Sequence, residues 1–167
     1  MTGPQRNAGA VFHAIQKDHT MRINYQLCRP AYASLHRPSK AHPDDAGIDL
    51  RAATTGILNP GEWAPIPTGI RLALPRGWEA QIRPRSGLAA NHAVTVLNAP
   101  GTVDAGFRGE VRAILINHGH EPWSWEEGDR IAQLVVKEVP HVVLTEVDDL
   151  DTTTTRGNAG LGSTGVH

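Results

Sequence analysis

Residues 111–139 read VRAILINHGHEPWSWEEGDRIAQLVVKEV, and the fold class turns on how they are read. VRAILINHG is nearly continuous in apolar residues, which suits a strand buried on both faces. WSWEEGDRIAQLVVKEV then sets a Glu-Gly-Asp turn between two more strands. The same pattern continues outward. WEAQIRP alternates Trp78, Ala80 and Ile82, and IDLRA is a short strand. WAPIPTGIRLALP reads as two strands around Pro67–Gly69, and TVLNAPGTVDAGF as a hairpin around Pro100–Gly101. From Met21 onward Ile23, Tyr25 and Leu27 alternate as a first strand. SGLAANHAV is the one plausible helical turn. Gly and Pro, 17 and 12 in number, are spread along the chain and leave little room for helices. The expectation is one all-β domain, a sandwich or jelly roll, without internal repeats.

The 167 residues suffice for one domain with a sizeable core. A net charge of −1 gives no electrostatic footprint for nucleic acid, so any polyanion site must be local. The single cysteine, Cys28, excludes an intramolecular disulfide framework and suits a reducing compartment. No apolar stretch reaches membrane-spanning length, and the first twenty residues lack an apolar signal-peptide core. A cytoplasmic protein with no membrane or nucleic-acid partner is expected. Residues 1–20 read as a flexible extension, 21–150 as the β domain and 151–167 as a flexible tail.

Five clusters of small and polar residues interrupt the strands. In AGIDLRAA (46–53), Asp49 lies between Ile48 and Leu50 and should face away from them, at least as an edge-strand carboxylate capping a turn. In RPRSGLAA (83–90), Arg85, Ser86 and Gly87 precede the helical turn. They form either an anion site or a plain cap with Ser86 at the N-cap. In NAPGTVDAGFRGE (98–110), Asp104 is either a base that accepts a proton from water or an Asx turn. Glu110 is a further carboxylate there. In GDRIAQLV (128–135), Gln133 either donates to a phosphate or faces solvent. The tail TTTTRGNAGLGSTGVH (152–167) is either disordered or a clamp whose glycine amides, Arg156, Ser163 and Thr164 close on an anion. No cluster holds a close-spaced His and Cys metal set, and neither a Walker A lysine motif nor a GxGxxG after a strand occurs.

Taken together and in order, these clusters resemble the five motifs of the trimeric dUTPase family, the deoxyuridine triphosphate nucleotidohydrolases. The resemblance runs from about residue 21 to 165. It implies a jelly-roll or distorted β-barrel subunit, a homotrimer with active sites at subunit interfaces, and a C-terminal arm that closes over bound nucleotide. The implied reaction is cleavage of dUTP to dUMP and pyrophosphate with Mg²⁺. By motif position, Asp104 resembles the residue that deprotonates the attacking water. Asn98 and the backbone of Thr102, Val103 and Asp104 match the segment that reads uracil. Phe107 falls where an aromatic ring, usually tyrosine, lies on the deoxyribose. Arg85, Ser86, Gly87 and Gln133 match phosphate-binding positions, and Arg112 a basic substrate contact. Asp49 matches a carboxylate that organises the metal from its second shell, the ion being held mainly by phosphates and water. Arg156, Leu161, Gly162, Ser163 and Thr164 match the closing arm. Ala159 replaces a common glycine and Leu161 the aromatic residue that usually covers uracil.

Two other readings compete. The dCTP deaminases share the fold and use a glutamate on the strand after the third motif, where this chain has Ile114. A non-enzymatic regulatory module on the same fold would explain the altered tail, but Asp104, Ser86 and Gln133 are all retained.

Overall fold

Period-two burial builds the domain. In Trp78–Arg83, Ala80 and Ile82 are buried while their neighbours are half-buried, and in Trp123–Trp125 the two tryptophans are buried around an exposed Ser124. The computed structural model describes residues 20–151 and 153–157. Among them the strands are β1 (Asn24–Leu27), β2 (Ile48–Arg51), β3 (Gly56–Leu58), β4 (Trp63–Ala73), β5 (Trp78–Arg83), β6 (Val94–Val96), β7 (Gly101–Val103), β8 (Glu110–Asn117), β9 (Trp123–Trp125) and β10 (Arg130–Glu138). Helices among the described residues are a 3-10 turn at Pro30–Tyr32 and two short α-helical pieces, α1 (Ala33–His36) and α2 (Ser86–His92).

All pairing is antiparallel. One sheet runs β1-β4-β8-β6, the second β2-β10-β5-β7, and β3 with β9 makes a small ribbon. Ile66, Ile70, Val111 and Leu115 from the first sheet and Leu50, Ile82, Ile131 and Leu134 from the second share one core cluster. The expected all-β sandwich is therefore present. Removing each such side chain from water contributes about 1.5–3 kcal/mol.

Three local expectations change. Residues 63–73 form one strand, not two. Pro67 pairs with Arg112 and Arg71 with Glu110, so four steps along β4 span two along β8. The bulge is held by Thr68 Oγ1 donating to the Val111 carbonyl (2.7 Å) and the Gly69 amide donating to Glu110 Oε1 (2.9 Å). Gly69 has a φ of 72°, and a Cβ there would lie 2.7 Å from His36 Nδ1. Second, 95–107 is not a hairpin. β6 pairs with β8 and β7 with β5, so residues 97–100 cross between the sheets. Gly101 is itself the first residue of β7 and pairs with Ile82 of β5, so Pro-Gly marks the entry to a strand rather than a hairpin tip.

Third, β8 is buried on one face only. Val111, Ala113, Leu115 and Asn117 are buried, Arg112 is exposed, and Ile114 and Ile116 are half-buried. Ile116 pairs with exposed Trp63 and Ile114 with exposed Pro65, while the Leu97 amide bonds the Ile114 carbonyl. The second face of the apolar run is thus an outward apolar band. Another apolar stretch lies open after β10, where Val142, Val143 and Leu144 are 68%, 72% and 92% exposed.

The expected turn between β9 and β10 is present. Asp129 Oδ2 accepts the Glu126 amide (2.9 Å) and Gly128 takes a φ of 95°. His36 is buried, its Nε2 2.9 Å from Glu127 Oε1, and this pair joins α1 to that turn. Cys28 is half-buried, and burial first, then the Glu110 carboxylate, raise its thiol pKa.

The ribbon is fastened by Asn117. Its buried Nδ2 donates to the carbonyls of Leu58 and Glu121 (both 2.9 Å), and its Oδ1 accepts the Gly119 amide (2.8 Å). Replacing it by alanine orphans three backbone groups. Asn117→Ala should lower unfolding free energy by about 3 kcal/mol or more, measured by urea denaturation. A loss below about 1 kcal/mol would show that water takes over these bonds.

Candidate active site

Register brings three of the sequence clusters together. On β10, Gln133 pairs with Asp49 of β2 on one side and Arg83 of β5 on the other. Asp49 therefore stands beside the loop that leads from β5 into α2. Its Oδ1 lies 3.3 Å from Arg85 Nε and its Oδ2 3.3 Å from Arg130 Nη1, with its side chain 15% exposed. Arg85 Nη1 also donates to the Arg130 carbonyl (2.9 Å). Asp49 is thus one carboxylate between two guanidiniums, and Asp45 adds a second carboxylate to the same surroundings. These residues, with Ser86, Gly87 and Gln133, line an open pocket of about 490 Å³. The capping role considered for Asp49 gives way to this double ion pair.

Ser86 is not the N-cap. That position is Arg85, extended at φ −93° and ψ 129° without a side-chain cap bond, and Ser86 opens the helix. The amides of Ser86 and Gly87 then have no acceptor within the helix. Gln133 does not simply face solvent. It is half-buried and its Nε2 donates to the Pro84 carbonyl (2.8 Å), holding the loop that carries Arg85. Its Oε1 rests against Gly47, where a Cβ would collide with it.

The third cluster lines a second pocket of about 310 Å³, with Asn98, Thr102, Val103, Asp104, Phe107 and Arg112 among its walls. Val103 is buried in the core, while Asn98, Thr102, Asp104 and Arg112 are exposed. The Asp104 carbonyl accepts the Phe107 amide (3.0 Å). The turn is thus closed by backbone, and the Asp104 carboxylate takes no hydrogen bond among the described residues, which removes the Asx-turn reading. Phe107 folds its ring over Gly109, where a Cβ would lie 2.6 Å from Cζ. Glu110 reaches this pocket too, but its Oε1 is engaged by the Gly69 amide.

The two pockets share no lining residue. Arg156 is exposed, whereas Ala159, Leu161, Gly162, Ser163 and Thr164 lie outside the described residues. No group of three or more His, Cys, Asp or Glu side chains suited to a metal ion occurs among the described residues. Sequence reasoning missed Arg130 and Gly47. Arg130 sits inside the quoted GDRIAQLV, and pairing it with Asp49 requires the β2–β10 register.

A family model described as dUTPase matches residues 33–165. The chain belongs to the dUTPase family. The deoxyuridine 5'-triphosphate nucleotidohydrolase of Maricaulis maris is 51% identical over 139 residues, covering 81% of this chain and 91% of that protein. The enzyme of the same name from Thermobifida fusca is 50% identical over 149 residues, covering 89% and 81%. The structure of Staphylococcus bacteriophage 80alpha dUTPase with dUpNHpp is 25% identical, covers 88% of this chain and all of that one, and superposes with a TM-score of 0.79.

Two glycines of the first pocket should behave differently. Gly47→Ala should destabilise by about 1–3 kcal/mol, because Gln133 must leave its place. Gly87 has nothing within 4 Å of a built Cβ. Gly87→Ala should hold stability or raise it by up to about 1 kcal/mol, since alanine is the better helix former. Urea denaturation of both variants checks this, and equal losses would contradict it.

Proposed function

We propose that the protein is a dUTP diphosphatase, hydrolysing dUTP to dUMP and pyrophosphate. The observation that carries this reading is the unpaired Asp104 carboxylate at a pocket lined by Asn98 and Phe107, in a chain of the dUTPase family. Asn98 and the backbone of Thr102, Val103 and Asp104 read uracil in a space too narrow for a 5-methyl group. The Phe107 ring lies on the deoxyribose and leaves no room for a 2′-hydroxyl. Asp104 takes the proton of a water that attacks the α-phosphorus in line, opposite the departing pyrophosphate. Arg85, the first amides of α2 on Ser86 and Gly87, and Gln133 receive phosphate oxygens, and Arg112 adds a basic contact.

The donor set suits Mg²⁺ held chiefly by substrate and water. Both Asp49 oxygens already face guanidiniums, so Asp49 acts on the ion's surroundings rather than as a ligand. When bound, Mg²⁺ offsets the charge of the phosphate oxygens. The apolar Ile114 at the second pocket speaks against deamination, which the related fold carries out with a glutamate there.

The active unit is a homotrimer. Two observations support this: the phosphate-type and base-type pockets lie apart on one chain, and the band at Trp63, Ile114 and Leu97 and the stretch at Val142–Leu144 stay uncovered. Residues 21–150 form the domain and 1–20 an extension. Residues 151–167 are the arm, which brings Arg156, Leu161, Gly162, Ser163 and Thr164 over the nucleotide. The lone Cys28 suits a cytoplasmic setting.

Asp104→Asn should lower turnover by about 10²–10⁴-fold while dUpNHpp still binds. Hydrolysis by the unaltered protein in ¹⁸O-water should label dUMP; label in pyrophosphate would mean attack on the β-phosphorus. Light scattering should give about three times the 18.0 kDa chain mass. A chain ending at Thr155 should keep that mass but lose about tenfold or more of its activity, since closing segments complete such sites. An active monomer, or full activity without the arm, would overturn the corresponding part.

A further inference from the structure

The Asp104 carboxylate has no side-chain restraint of its own, so its position depends on the turn that carries it. That turn, residues 104–107, has a single backbone bond, from the Phe107 amide to the Asp104 carbonyl at 3.0 Å. The next side chain adds two more. Arg108 Nη1 donates to the Ala105 carbonyl at 2.6 Å and to the Phe107 carbonyl at 2.7 Å. A guanidinium is planar and permanently charged, and its N–H···O=C bonds are stronger than neutral ones. One nitrogen thus ties the Ala105–Gly106 peptide, next but one to the Asp104 Cα, to the residue that carries the ring. Gly109 then gives that ring its seat.

We infer that Arg108 is a positioning residue for this site: it holds Asp104 and Phe107 in one geometry and touches neither substrate nor water itself. This rests on the reading of Asp104 as general base. Displacements of about 1 Å in a positioned group cost on the order of 10²-fold in rate. Losing the Arg108 bonds should therefore reach catalysis even though the side chain is exposed and outside the core.

The test measures kcat and KM for dUTP, the dissociation constant for dUpNHpp and the melting temperature. It uses Arg108→Met and Arg108→Lys, each alone and combined with Asp104→Asn. Arg108→Met should lower kcat by about tenfold or more. Its melting temperature should stay within a few degrees. Arg108→Lys, whose ammonium can reach one or both carbonyls, should recover part of the loss. In the Asp104→Asn background Arg108→Met should change the residual rate little, because the group it positions is gone. An equal fall in both backgrounds would overturn the proposal, as would an unchanged kcat for Arg108→Met. A loss confined to dUpNHpp affinity would overturn it too, by making Arg108 a direct ligand. Full turnover by Asp104→Asn alone would instead overturn the general-base reading. Should Arg108→Met fail to fold, Arg108→Gln, whose shorter amide cannot span both carbonyls, gives the same reading.

Discussion

Asp49 lies between two arginines that come from different parts of the chain. Arg85 ends the loop after β5, and Arg130 begins β10. Their guanidiniums meet the two carboxylate oxygens at equal distances of 3.3 Å. A largely buried charge is tolerated only when paired, and removing one partner leaves the rest uncompensated. The arrangement therefore links β2, β10 and the start of α2 through side chains, in addition to the β2–β10 backbone pairing. Within the pocket the two guanidiniums face two carboxylates, Asp49 and Asp45. Gln133 repeats the logic with a neutral group, holding the Pro84 carbonyl while its oxygen lies on Gly47.

The second half of the molecule lacks such closure. Asn98, Asp104 and Phe107 sit on loops that cross between sheets, and each is exposed. Beside them runs the apolar band of Trp63, Pro65, Ile114 and Leu97. Aromatic and branched side chains are rarely left open in a row along a strand unless another surface covers them. The continuous apolar reading of VRAILINHG as a strand buried on both faces fails for the single chain for this reason. The sandwich provides only one of the two burials that the composition implies.

What was legible in the sequence follows from period and punctuation. Alternation located β1 and β5, and β10 was found from the Glu-Gly-Asp turn before it, visible because Gly128 and Asp129 act locally. The break expected at Pro67–Gly69 marked a real irregularity, but a bulge in one strand and a turn between two strands share the same residues. Only the pairing with β8 on both sides separates them. The Pro100–Gly101 turn failed in the same way, because sheet membership is a non-local property. In the candidate site, residue types were readable and partners were not. Asp49 was visible as a carboxylate between apolar neighbours, but its arginines lie 36 and 81 positions away, at 85 and 130. The cap alternative for Ser86 arose because a serine before a helical run is the usual cap, and it is one position off. Here the side chain of Arg85 turns toward β2 and β10, and its backbone does the capping residue's work.

Glycines separate what the chain needs for itself from what it leaves for others. Gly47, Gly69 and Gly109 are each explained within the fold, since a Cβ would strike Gln133, His36 or Phe107. Gly87 is not. It lies in the first turn of a helix, has ordinary dihedrals and has open space where a Cβ would project. Glycine inside a helix costs about 1 kcal/mol against alanine, mostly in backbone entropy. Nothing in the fold offsets that loss. Under the proposed function the offset comes from the substrate at Arg85 and Ser86, where a bare backbone would leave the amides open to a phosphate oxygen that a methyl group would crowd. The free amides of a helix start suit an anion, which is what the proposed phosphate contact requires there.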